Sequence, residues 1–292
     1  MILSKVSNMN KKLLFFLALL LLPLSGCGIV AIGYNYADVY LRYSINSYAT
    51  FNEVQKELIR NDVNEFMLWH RKNMLPEYVS FLQTLQQTAE SGAILKREDV
   101  ARFRTQLRAL YVKTLQPTVR PSAILLSGIS PAQIDELVKS FAKENNKQKA
   151  KELSGDFDEK LRKRAERSIH FMEGLVGSFN DKQLDKIREM SYKLPFATTI
   201  YIRQREDNQA ALIELLRNKK SAEEIADFLS GWLLKPEIGR SMDEQKIMLA
   251  FEEASDEMIE NIYRMLTVRQ KKALQKSIIK YIDSFNELAK RN

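Results

Sequence analysis

The chain has 292 residues, 45% of them hydrophobic, and a formal charge of +8 from 45 Lys and Arg against 37 Asp and Glu. One cysteine rules out an intrachain disulfide, and with only two histidines the chain has no Cys/His metal spacing. The charge lacks the one-sidedness of a nucleic-acid binder, and no HExxH, GxSxG, phosphate-binding loop or GxGxxG is present. Neither nucleic acid, nor a metal, nor a cofactor is therefore expected.

The first 26 residues differ from the rest. Lys5, Lys11 and Lys12 form a short cationic start without an acid, and Leu13 to Leu24 (LLFFLALLLLPL) is an apolar run broken only by Pro23. A positive segment, a short apolar core and small residues are the marks of a secretory signal peptide. The run is too short to span a bilayer, which takes roughly 20 apolar residues. It ends Leu24-Ser25-Gly26-Cys27, which resembles the lipobox of bacterial lipoproteins. That resemblance implies cleavage before Cys27, a diacylglyceryl thioether on its sulfur and acylation of its new amine. Two or more chains satisfy the condition for stable anchoring, which one acyl chain does not. Loss of the three lysines lowers the formal charge to +5, a surface suited to anionic headgroups. Gly28, in place of Asp, implies sorting to the outer rather than the inner membrane, facing the periplasm.

No polar tether follows Cys27, so the folded body is expected to begin close to the lipid. The segment Gly33 to Tyr48 (GYNYADVYLRYSINSY) carries five tyrosines, of which Tyr36, Tyr40 and Tyr43 share one helical face. That face is expected to pack onto the bundle with its hydroxyls on polar partners. A place at the lipid headgroups is the alternative.

Beyond it, apolar residues at 3/4 spacing run through 53–72, 75–91, 96–116, 131–152, 157–178, 181–193, 196–218, 221–234 and 241–265, and from Leu274 to Leu288. Ten glycines, seven prolines and no alternating β-branched run argue against sheet. The class is all-α, an elongated multi-helix bundle of about ten helices. Three prolines and a glycine in Pro117 to Pro131 (PTVRPSAILLSGISP) predict a joint between a membrane-proximal sub-bundle, 27–126, and a distal one, 127–292. A second joint is predicted at Lys235 to Ser241.

Four helix starts share one form. Asn52, Ser130, Asn180 and Thr267 are each followed three residues later by Gln, and each is preceded by Phe51, Ile129, Phe179 or Leu266. Ser221 with Glu224 and Ser241 with Glu244 are acidic versions. All six read as capping boxes. The Gln forms also resemble the LTxxQ motifs of Spy-type periplasmic chaperones, although only Leu266-Thr267 has the full start and the spacings are irregular. A chaperone-like binder is expected to show a concave apolar surface with a basic rim.

Trp69-His70-Arg71 is followed by Leu75-Pro76-Glu77-Tyr78 and preceded by Tyr34-Asn35-Tyr36-Ala37-Asp38. Together with the lipobox and the repeated helix starts, these resemble a family of Gram-negative envelope lipoproteins known only as a domain of unknown function. Val39 departs from that pattern, which commonly has an aromatic there. The resemblance implies an envelope address and a helical fold, and brings no activity with it.

His70 is the best candidate for chemistry, as a base assisted by Asp38, Glu65 or Glu77 in a cell-envelope hydrolase. The expectation set against it is a buried His70 that locks two helices together through a carboxylate, on one stripe with Phe66 and Met74. The densest basic run is Lys160 to Arg167, where Lys160, Lys163, Arg164 and Arg167 line one side of a helix; it is either a solvated face or a contact for anionic lipid, cell-wall polymer or an acidic partner protein. The leading function is a non-enzymatic, lipid-anchored binder of an envelope protein, working as scaffold, assembly factor or chaperone. Tyr36, Tyr40, Tyr43, Trp69, His70, Arg71 and the basic run are its possible surface.

Overall fold

The computed structural model describes residues 33–290, so the signal segment, Leu24, Ser25, Gly26 and Cys27 lie outside the described residues. The described chain is an all-α multi-helix bundle. Its helices are α1 (Ala37–Asn46), α2 (Glu53–Trp69), α3 (Leu75–Glu90), α4 (Arg97–Ser127), α5 (Pro131–Leu153), α6 (Phe157–Val176), α7 (Asp181–Lys193), α8 (Thr198–Arg217), α9 (Ala222–Leu234), α10 (Met242–Met265) and α11 (Val268–Ala289). None of them is long and apolar enough to cross a membrane.

Local chemistry sets the helix starts. All six predicted capping boxes form, at Asn52, Ser130, Asn180, Ser221, Ser241 and Thr267. Asp156 adds a cap that sequence spacing did not single out, accepting from the Glu159 amide at 2.8 Å. Just before the α7 cap, Gly177 ends α6 at φ +82° and ψ −176°, a conformation essentially confined to glycine.

The four glutamines do more than close their own helices. Gln55 Nε2 donates to Gln133 Oε1 at 3.2 Å while Gln133 Nε2 donates to Gln55 Oε1 at 2.7 Å. Each also donates to a carbonyl of the other's loop, Gly128 for Gln55 and Thr50 for Gln133. Gln183 and Gln270 repeat the arrangement, at 2.9 and 3.1 Å, with the carbonyls of Met265 and Ser178. With the cap amide bonded as well, every donor and acceptor position of these buried amides is used. Two pairs of helix starts, 78 and 87 residues apart, are thereby stitched N-terminus to N-terminus.

Two expectations about breaks change. Helix α4 runs from Arg97 to Ser127 with Pro117 and Pro121 inside it, so the break predicted in Pro117 to Pro131 lies only at the end of that stretch, where the chain turns at Gly128 and Pro131 opens α5. Between α2 and α3 the predicted gap is a π turn, His70–Met74, in which the Leu75 amide bonds the His70 carbonyl five residues back. Pro76 has no amide to give and its ring crowds the carbonyl four residues earlier. The wider turn accommodates the ring without ending the helix.

Helix α4 is the central strut, touched by α2, α3, α9 and α10. One core gathers Met74, Leu75 and Tyr78 with Leu110 of α4 and Ile282, Phe285 and Leu288 of α11. The last helix thus packs on α3, and residues on both sides of position 126 share this core. A second core joins the C-terminal half of α4 to α5, α8 and α9, and a third joins α6, α7 and α10. A smaller one under α1 and α2 holds Phe51, Ile59 and Val63. Full burial of a side chain such as Phe285 or Leu288 contributes about 2 kcal/mol.

Candidate functional site

The π turn carries His70 into the interior, where it is 2% exposed. Tyr34 Oη lies 2.9 Å from Nδ1 and Tyr78 Oη 3.2 Å from Nε2. Tyr78 Oη is 2.6 Å from Thr114 Oγ1, which donates at 2.8 Å to the Leu110 carbonyl. Because the Thr114 proton goes to that carbonyl, Thr114 accepts from Tyr78. Tyr78 therefore accepts from Nε2–H, and Nδ1 is left to accept from Tyr34. Every proton in the relay has one place. Burial holds the His70 pKa down at about 4, and pushes the Tyr78 phenol up to about 12. Arg71 stacks on the Tyr34 ring, 5.4 Å from its centroid, and bonds its hydroxyl.

His70 thus joins its neighbours as expected, on a stripe with Met74 and against the Phe66 ring at 5.7 Å, but phenols take the place of the expected carboxylate. The acids do not converge on it. Asp38 pairs with Arg42 at 2.6 Å and Glu77 with Lys113 at 2.6 Å, while Glu65 lies elsewhere, on the rim of a groove. A neutral imidazole with both nitrogens occupied serves as a peg between the N-terminal segment and the core. Among the described residues no group of three or more His, Cys, Asp or Glu could hold a metal ion.

The open feature of this end of the molecule is that groove, about 380 Å³, between α1, α2 and α4. Leu41 and Ile45 of α1, Ile59, Val63 and Phe66 of α2, and Leu125 of α4 form its apolar lining. Tyr40 and Trp69 stand at its sides, and Pro117 and Pro121 form a ridge along α4. Asp62 and Glu65 supply its charge; burial, with Glu65 next to it, raises the Asp62 pKa. The surface is concave and apolar, but acidic where a basic rim was expected. The α2 stripe faces inward through Ile59 and Val63, and Asp62 and Glu65 follow at its edge by helical spacing.

The tyrosine face is turned the opposite way from the expectation. Tyr36 and Tyr43 are 65% and 73% exposed, whereas Tyr34 and Tyr48, off that face, are turned inward. The short helix α1 buries Ala37 and turns Leu41 and Ile45 toward Ile59 and Val63, which leaves the tyrosines outward. Val39, beside them, is exposed too.

The basic run is largely taken up within the fold. The Arg164 guanidinium bonds the carbonyls of Leu194 and Pro195 at 3.0 and 3.1 Å and that of Ser191, closing the C-terminus of α7. Arg167 pairs with buried Glu152 at 2.8 Å and Lys163 with Glu159 at 2.8 Å. Lys160 has no ion pair among the described residues. Sequence reading missed two arrangements here, the α4 proline ridge and the Gln–Gln pairs. The prolines looked like a break and the glutamines like isolated caps.

A family model described as a family of unknown function, DUF6279, matches residues 47–237, and the chain belongs to that family. The match takes in α2 and α4, two of the three walls of the groove. No curated protein and no solved structure matches.

Proposed function

We propose that this DUF6279 member is an envelope lipoprotein, anchored through lipid on Cys27, facing the periplasm from the outer membrane and acting by binding another envelope protein without catalysis. The observation that carries the reading is the fixing of Tyr34 in the core by His70, with the aromatic face of α1 immediately after it turned outward. Seven steps of chain separate Tyr34 from Cys27, a reach of at most about 25 Å. A body tied down that close to an anchor has little freedom to swing, and the exposed Tyr36 and Tyr43 suit a headgroup zone or an adjacent protein. The closed, neutral state of His70 favours binding over chemistry, because its one N–H proton and its one free lone pair are both committed to the relay.

The test is the mass and fractionation of the mature chain in a Gram-negative host, beside a Cys27→Ser control. The N-terminal peptide should carry a diacylglyceryl group and an acyl chain, and a photo-crosslinker replacing Tyr43 should capture a discrete envelope protein. An unmodified mass, or a Cys27→Ser chain that still fractionates with membranes, refutes the anchor. Absence of any Tyr43 adduct refutes the binding surface.

A further inference from the structure

We propose that the groove between α1, α2 and α4 docks an extended segment of a partner polypeptide in which apolar side chains are flanked by a lysine or arginine. The proposal rests on the reading of the protein as a binder and names the chemistry of what it holds.

Three observations carry it. The first is charge. Of the residues lining the groove, two are carboxylates and none is basic, in a chain whose formal charge is +8. Neither Asp62 nor Glu65 has an ion pair or hydrogen bond among the described residues, whereas Asp38 and Glu77 on neighbouring helices are both paired. A cation entering from outside meets two unneutralised acids over an apolar floor. The phosphate of an anionic lipid is repelled there.

The second is the α4 ridge. Pro117 and Pro121 line the groove one helical turn apart on α4, and their rings form a stiff apolar wall that loses no side-chain freedom when a partner covers it. An interior proline costs about 3 kcal/mol each, and this helix keeps two of them at the groove wall.

The third is size and lining. A volume of about 380 Å³ lies at the lower end of the roughly 300–1,000 Å³ of ligand clefts, room for two or three side chains rather than a folded domain. Tyr40 and Trp69 at its sides are the residue types that hold a cation against a ring face and dominate binding hot spots.

The experiment uses the mature lipoprotein in phosphatidylcholine nanodiscs, with Trp232→Phe so that Trp69 is the one tryptophan reporter. It is titrated with a ten-residue peptide alternating leucine and lysine, and with the matching leucine–glutamate peptide. The Leu/Lys peptide should shift Trp69 fluorescence and the Leu/Glu peptide should not. Asp62→Asn with Glu65→Gln should weaken binding about fivefold or more, with an unchanged melting temperature. Ser122→Phe, which fills the groove from α4 without touching a charge, should abolish it.

Equal binding of the two peptides, or undiminished binding by the charge variant, overturns the proposal. So does a Trp69 response to phosphatidylglycerol vesicles alone. Failure of the Leu/Lys peptide to bind while Tyr43 crosslinks persist overturns the groove's occupant and leaves the anchored binder standing. Binding that survives loss of the lipid supports the groove whatever becomes of the anchor.

Discussion

Acidification provides a quantitative probe of the His70 peg. In the unfolded chain this imidazole takes a proton near pH 6.5; in the folded chain burial delays that to about 4. Between these two values the unfolded state binds a proton that the folded state refuses, so stability falls as pH falls and levels off below about 4. At 1.36 kcal/mol per unit, the loss relative to pH 7 is about 2 kcal/mol at pH 5 and about 3 kcal/mol in full. Urea denaturation of wild type and His70→Phe from pH 7 to pH 4, with the difference of the two curves taken, isolates this group from the carboxylates and His170. The variant should start less stable, because the Tyr34 and Tyr78 hydroxyls lose their partner, and its curve should be shallower by that amount. Parallel curves would show that His70 titrates normally and that the relay does not exist in solution.

Further outcomes follow from other contacts. Gln133→Ala strands the Gln55 amide, the Thr50 carbonyl and the Ser130 amide; a loss of about 2–3 kcal/mol is expected, and a double-mutant cycle with Gln55→Ala should return a coupling of about 1 kcal/mol. Arg104 grips the buried Asp256 through Nε at 3.0 and 3.2 Å and through Nη2 at 2.9 Å. Arg104→Ala leaves that charge unpaired in the interior and should cost about 3 kcal/mol by chemical denaturation. Pro117 is exposed within α4, so Pro117→Ala restores a helix hydrogen bond and should raise stability by about 1–3 kcal/mol in the same assay. A loss of stability there would mean that the ridge is needed for packing.

The Gln–Gln pairs show how far a local motif reaches. Each capping box closes within four residues and is therefore readable from the chain, but its glutamine has amide positions left over. Once the helix start is buried those positions must be filled, and the nearest unfilled amide belongs to another buried helix start. A second cap 78 or 87 residues away meets that need, and only folding brings the two together.

The amino-acid sequence alone determined the helical class, the helix starts at Asn52, Ser130, Asn180, Ser221, Ser241 and Thr267, and His70 as a residue with a special place. These follow from side-chain periodicity and from hydrogen bonds that close within one turn. Tertiary structure alone decided what lies opposite each face. It set phenols rather than carboxylates against His70, and turned Tyr36 and Tyr43 outward. It folded Arg164 and Arg167 into caps and ion pairs, seated α11 on α3, and made a groove wall from prolines that looked like a joint. The reason is physical: burial and partnering depend on residues tens to hundreds of positions away, such as Arg104 and Asp256, 152 apart, which meet only when the apolar faces of separate helices leave water together.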